Sequence, residues 1–67
     1  MARVVRGVVL ETFGYYELRA LYEGKEIWFD SVRFDGEDGA LLIFVDQNEN
    51  VARLAPEDIS HIRKLDM

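Results

Sequence analysis

Apolar residues come in short stretches along this chain, and turn-forming residues recur about every ten positions, the spacing of a small sandwich or barrel. The first stretch, Arg3 to Thr12, is rich in valine and predicts a strand. In that strand Val4, Val8 and Leu10 point one way, and Val5 and Val9 point the other. Both faces are then partly apolar, as in a strand that serves a core and a second surface. Gly7 inside the stretch predicts a bulge or sharp bend, and Phe13-Gly14 a tight turn. In the second stretch, Tyr15 to Tyr22, the residues Tyr16, Leu18, Ala20 and Tyr22 form the inward set. Tyr15, Glu17, Arg19 and Leu21 lie opposite, and Glu23-Gly24 makes a hairpin turn.

The third stretch, Lys25 to Phe34, breaks its own alternation. Ile27 and Phe29 share one face, whereas Val32 and Phe34 share parity with Trp28 on the other. Either a bulge near Asp30-Ser31 returns Val32 and Phe34 to the core, or both faces are covered. Asp35-Gly36-Glu37-Asp38-Gly39 reads as an acidic, glycine-rich turn. Ala40 to Asp46 holds Leu41, Leu42, Ile43, Phe44 and Val45 without a break, which predicts a central strand buried on both faces. Gln47 to Asn50 makes the next turn, and Val51 to Leu54 completes a hairpin.

The tail from Ala55 to Leu65 admits two readings. Pro56 suits the first position of a helical turn, and Glu57 and Asp58 favour its N-terminus. The segment is either a 3₁₀ turn at Pro56–Ile59 followed by a strand, Ser60–Leu65, or a short helix to Lys64. Turn plus strand is preferred, because an isolated helix this short is weak and a closing strand removes an exposed edge. The expectation is one all-β domain over residues 1–67. Its fold is a five- to six-stranded antiparallel barrel of the SH3-like or Sm-like kind, with a short 3₁₀ or helical turn near the C-terminus.

Arg19-Ala20-Leu21-Tyr22-Glu23 resembles the Ala-Leu-Tyr-Asp stretch of eukaryotic SH3 domains, and Pro56 to Ile59 resembles their Pro-Ser-Asn-Tyr turn. The tandem tryptophans of that family are missing here. A tight hairpin also replaces the long acidic loop that follows Ala-Leu-Tyr, so no peptide-binding residues carry over.

Composition narrows the function more than it names one. At 67 residues and no cysteine, the core is small and has neither a disulfide nor a thiolate metal site to support it. Such domains often gain stability by self-association. No apolar run approaches bilayer length, and Met1 to Arg6 lacks the apolar segment and cleavage site of a signal peptide. A cytoplasmic protein without a membrane partner is the default expectation. The net charge of −5 is uneven: residues 1–33 balance five basic against five acidic side chains, whereas residues 34–67 set three against eight. That balance disfavours binding to a phosphate backbone and suits solubility or a basic partner.

Little catalytic machinery is visible. His61 is the single histidine, its neighbour Ser60 points the opposite way on a strand, and no phosphate-binding, nucleophile-elbow or zinc-helix motif is present. A rim histidine is the plainer reading. A chain this short also has little room for a pocket of several hundred Å³, so no small-molecule substrate and no cofactor are expected. Asp35, Glu37, Asp38 and Asp46 are hard oxygen ligands in type, but their spacing is not that of a calcium loop, and a solvated turn explains them.

The aromatics carry the functional expectation. They form 12% of the chain and cluster within residues 13–34. Most build the core, yet Tyr15 and Trp28 have the wrong parity for it. Their polar tips want water or a partner, as in binding surfaces. The expected function is a non-catalytic interaction module. In it Tyr15, Arg19, Trp28 and Arg33 contact a protein partner or a second copy. The alternatives are nucleic-acid binding through the same aromatic and basic residues, and an acidic face (Asp35, Glu37, Asp38, Asp46, Glu49) that imitates a phosphate backbone.

Overall fold

Two reversals in the chain are made by two residues each, and both require positive φ. In a computed structural model that describes residues 3–66, Arg6 and Gly7 adopt φ of 48° and 81°, and Glu23 and Gly24 adopt 52° and 80°. Met1, where the N-terminal reading begins, and Met67 lie outside the described residues. Two consecutive left-handed residues give the loop whose twist matches that of antiparallel strands. The Arg3–Thr12 stretch is therefore not one bent strand but a hairpin, β1 (Arg3–Val5) and β2 (Val8–Leu10). The reversal at Gly7 also resets the parity, because residues directly opposed across a hairpin share a face. Val4 opposes Val9 and both are exposed, whereas Val5 and Leu10 are buried.

The main sheet contains β3 (Tyr15–Tyr22), β4 (Lys25–Asp38), β5 (Leu41–Val45), β6 (Val51–Leu54) and β7 (Ile59–Lys64), in the antiparallel order β6-β5-β4-β3-β7. Four strands run as a meander, and the last returns beside the first. The return is made by a 3₁₀ turn at Pro56–Asp58, with Asp58 N–H donating to the Ala55 carbonyl at 3.0 Å. The turn-plus-strand reading of the tail is thus the one that forms, with the strand beginning one residue earlier than expected. The unbroken apolar run becomes β5, flanked on both sides as expected, but it is not buried on both faces: Leu42, Phe44 and Val45 are buried, Ile43 is half-buried and Leu41 is exposed.

β4 is long because two bulges bend it. Tyr16 opposes Val32 and Leu18 opposes Phe29, so Glu17 faces both Asp30 and Ser31. This bulge returns Val32 and Phe34 to the core side and leaves Trp28 pointing out. A second irregularity falls at Asp35, between Phe34 and Gly36. Gly36 takes φ of 122°, which only glycine adopts readily. The acidic stretch Asp35–Asp38 is therefore strand rather than turn, and the reversal is made by Gly39-Ala40 alone.

The concave side of the sheet holds Tyr16, Leu18, Phe34, Leu42, Phe44, Leu54, Ile59 and Ile62, and Val5 and Leu10 of the hairpin join the same cluster. The Tyr16 hydroxyl ties the hairpin down. It accepts from the Glu11 amide at 2.7 Å and donates to the Val9 carbonyl at 3.3 Å. Burial pushes its pKa up. Among the described residues β6 and β7 are not paired with each other, so the sheet stays open and no closed barrel forms. No helix among the described residues is long and apolar enough to cross a membrane.

Candidate functional site

The outward side of β3 carries Tyr15, Glu17, Arg19 and Leu21, as the alternation requires. Arg19 stands in register with Trp28 on β4 and with His61 on β7. The two rings lean across it and stack, with centroids 5.4 Å apart and planes 20° from parallel. Trp28 is 48% exposed and Leu21 44%. Arg19 itself is held in place: its Nε donates to Ser60 Oγ at 3.2 Å and lies 3.4 Å from a Glu26 carboxylate oxygen. Ser60 Oγ in turn donates to the Arg19 carbonyl at 3.2 Å.

Tyr15 and Arg33 form a second cross-strand pair on the same face. Arg33 forks onto Asp35, with donor distances of 2.6 and 3.0 Å, and its guanidinium lies 5.8 Å from the centre of the exposed Phe13 ring. Hydrogen bonding to Asp35 raises the Arg33 pKa, and the same bond holds the Asp35 carboxyl below its ordinary range. The four residues singled out by sequence thus lie on one face as two pairs. The pairs stand four positions apart along β3, or about 13 Å at 3.3 Å per residue. Between them Glu17 is ion-paired with Arg63. His61 and Leu21 belong to the Trp28 patch, and Phe13 to the Tyr15 patch. His61 meets Arg19 at the end of a regular run of pairs, and an extra residue in β7 at Ser60 then brings Ile59 to the same buried side as Ile62, three positions away.

Most of the acidic residues singled out by sequence have partners within the chain. Asp35 is matched by Arg33, Asp38 by Arg53 at 3.2 Å, and Glu37 lies 3.7 Å from Arg3. Asp46 organises the β5–β6 turn instead. Its carboxylate accepts from the Asn48 and Asn50 amides at 2.8 and 2.9 Å, and from the Asn50 side chain at 3.2 Å. Those bonds, the Asn50 amide's foremost, hold its pKa below the ordinary carboxylate range.

Two open clefts adjoin one another at the end of the sheet where β4 starts. The larger, about 340 Å³, lies between the β3–β4 reversal and the beginning of β6, with Tyr22, Ile27, Phe29 and Val51 in its walls. The smaller, about 230 Å³, runs along Trp28 to Ser31 and faces the β5–β6 turn. Phe29, Val32 and Asp46 line both. This is more concave space than the chain length suggests, and it arises because the first half of β4 bends away from β5. Carboxylates of Glu23, Asp30 and Asp46 border the clefts, and no lysine or arginine among the described residues lines either.

No protein-family model, curated protein or solved structure matches the chain.

Proposed function

We propose that the chain is a small non-catalytic protein-interaction module, built as an open barrel of the SH3-like or Sm-like kind. The barrel reading is supported by the strand order, in which the last strand returns beside the first after a 3₁₀ turn, and by the long, twice-bulged β4 shared between the two halves of the sheet. The interaction reading rests on one observation. The chain's single tryptophan stands half in water, on an outward face beside an equally exposed leucine. A domain this small needs apolar burial, so an indole held outside its core is better explained by a contact made with another molecule.

Three features weigh against the alternative functions. Arg19 and Arg33, the cations beside the exposed rings, are each matched by a carboxylate of the same chain, which reduces their pull on phosphate. The acids needed for a phosphate-like array are largely matched by arginines or spent on the Asp46 turn. Ser60, the hydroxyl nearest His61 in sequence, is engaged with Arg19 rather than with the imidazole.

The test is capture from source-cell lysate by the tagged protein, with and without nuclease, using Trp28→Ala alongside. Retention of a protein partner after nuclease, lost in a Trp28→Ala variant that is still folded and has lost less stability than a core truncation, supports the module. A partner lost on nuclease treatment, or capture unaffected by Trp28→Ala, overturns it.

A further inference from the structure

The edge of β4 is open where the clefts lie. From Lys25 to Phe29 the strand is paired with β3 on one side, and pairing with β5 begins only at Arg33. Tyr22 and Lys25 close a two-residue loop, so they exchange hydrogen bonds, and by alternation so do Ala20 with Ile27 and Leu18 with Phe29. Glu26 and Trp28 therefore turn their backbone N–H and C=O groups towards the open side. Ile27 and Phe29, on the inner face of that edge, point into the apolar cleft. Such an edge is a ready template for another strand.

We propose that the β4 edge between Lys25 and Asp30 takes an extended, lysine- or arginine-bearing segment of a partner protein as an added strand. Every second side chain of that segment enters the apolar cleft against Ile27, Phe29 and Val51, and the backbone bonds Glu26 and Trp28. Charge selects this occupant. The clefts are lined by Glu23, Asp30 and Asp46 and by no cation among the described residues, and along the edge itself Glu26 and Asp30 outnumber Lys25, so a basic segment is attracted. A second copy, itself carrying a net charge of −5, brings further carboxylates against them. The inference rests on the interaction-module reading and adds to it the class of ligand and the mode of binding.

The experiment titrates the protein with seven-residue peptides that alternate lysine with valine, isoleucine, leucine or phenylalanine, and follows Trp28 emission. Three controls run beside them: peptides with glutamate in place of lysine, peptides N-methylated at alternate amides, and the variant Val51→Lys. Val51 is 46% exposed, so this change places a cation in the cleft at small cost to folding. The expected result is saturable binding by the lysine peptides that weakens with salt. Binding should fall by at least about tenfold in each control. Absence of binding by the lysine peptides, or binding indifferent to N-methylation, overturns the added strand. So does a dimer, seen by sedimentation, that Val51→Lys dissociates. If the peptides fail while Trp28→Ala still releases a captured protein, the edge site is wrong and the module reading stands. If both fail, both are wrong.

Discussion

The indole of Trp28 rests on the imidazole of His61 although a whole strand runs between their backbones, with Arg19 in register with both. The stack therefore reports the relative placement of β4, β3 and β7 on the outward face. Its contribution to folding is expected to be small. Trp28→Ala should lose about 0.5–1.5 kcal/mol for the ring pair together with the burial of the covered part of the indole, and less than a fully buried ring. Phe44→Ala, which empties a fully buried ring site against Phe34, should lose about 3–5 kcal/mol. Urea unfolding of the two variants checks the contrast. Equal losses would place the indole in the core and remove the case for a contact surface.

Tyr16 supports a second expectation. Its hydroxyl serves the Glu11 amide and the Val9 carbonyl, and so fastens the β1–β2 hairpin to the sheet. Tyr16→Phe keeps the ring but withdraws both bonds, and should cost about 1–3 kcal/mol. Amide exchange locates the effect. The Glu11 N–H should be protected in the parent protein and exchange much faster in the variant, with β4 and β5 little changed.

Much of this architecture is legible in the residues, for physical reasons that also mark where it stops. Tyr16, Leu18 and Ala20 alternate cleanly because the extra residues at both irregularities lie on β4 and β7 and not on β3, and all three are buried. The displaced parity of Val32 and Phe34 records the Asp30-Ser31 bulge directly. Arg6-Gly7 misleads because a valine-rich run conceals a turn: arginine is no typical left-handed residue, yet it takes φ of 48°. The acidic Asp35–Asp38 reads as a loop by composition, but pairing with Leu41 to Ile43 makes it strand. The outward parity of Trp28 and Tyr15 is visible in sequence. Their separation into two patches is not, because it depends on cross-strand register and on the partners each arginine finds.

Acid should weaken the fold through two carboxylates. Asp46 is held low by the Asn50 and Asn48 bonds, and Asp35 by Arg33. A group whose folded pKa is depressed stabilises the fold above its unfolded pKa, and that stabilisation is lost as pH falls through the folded value. Stability should therefore be nearly flat from about pH 7 to 5 and decline below about pH 4. Asp46→Asn should lower stability at neutral pH and flatten the acid decline. Both carboxylates lie near the surface, so added salt should shrink the Asp35 effect more than that of Asp46, whose partners are uncharged. Thermal melts across pH, at low and high salt, check the sign and the ranking.

Gly14 offers the sharpest test of the hairpin's attachment. A Cβ added there would come within 3.1 Å of both the Glu11 carbonyl oxygen and the Tyr16 hydroxyl. Neither has an easy retreat. The carbonyl accepts the Gly14 N–H at 2.9 Å, and the hydroxyl is fixed between Glu11 and Val9. Gly14→Ala should therefore cost about 1–3 kcal/mol by overpacking, without any demand on φ. Tyr16→Phe removes one of the two obstructing atoms, so the double variant should lose less than the sum of the single losses, by about 0.5 kcal/mol or more. A double-mutant cycle in urea measures that difference. Strict additivity would mean that the crowding falls on the Glu11 carbonyl alone, and that the Tyr16 hydroxyl is free to move away from the hairpin it is held to fasten.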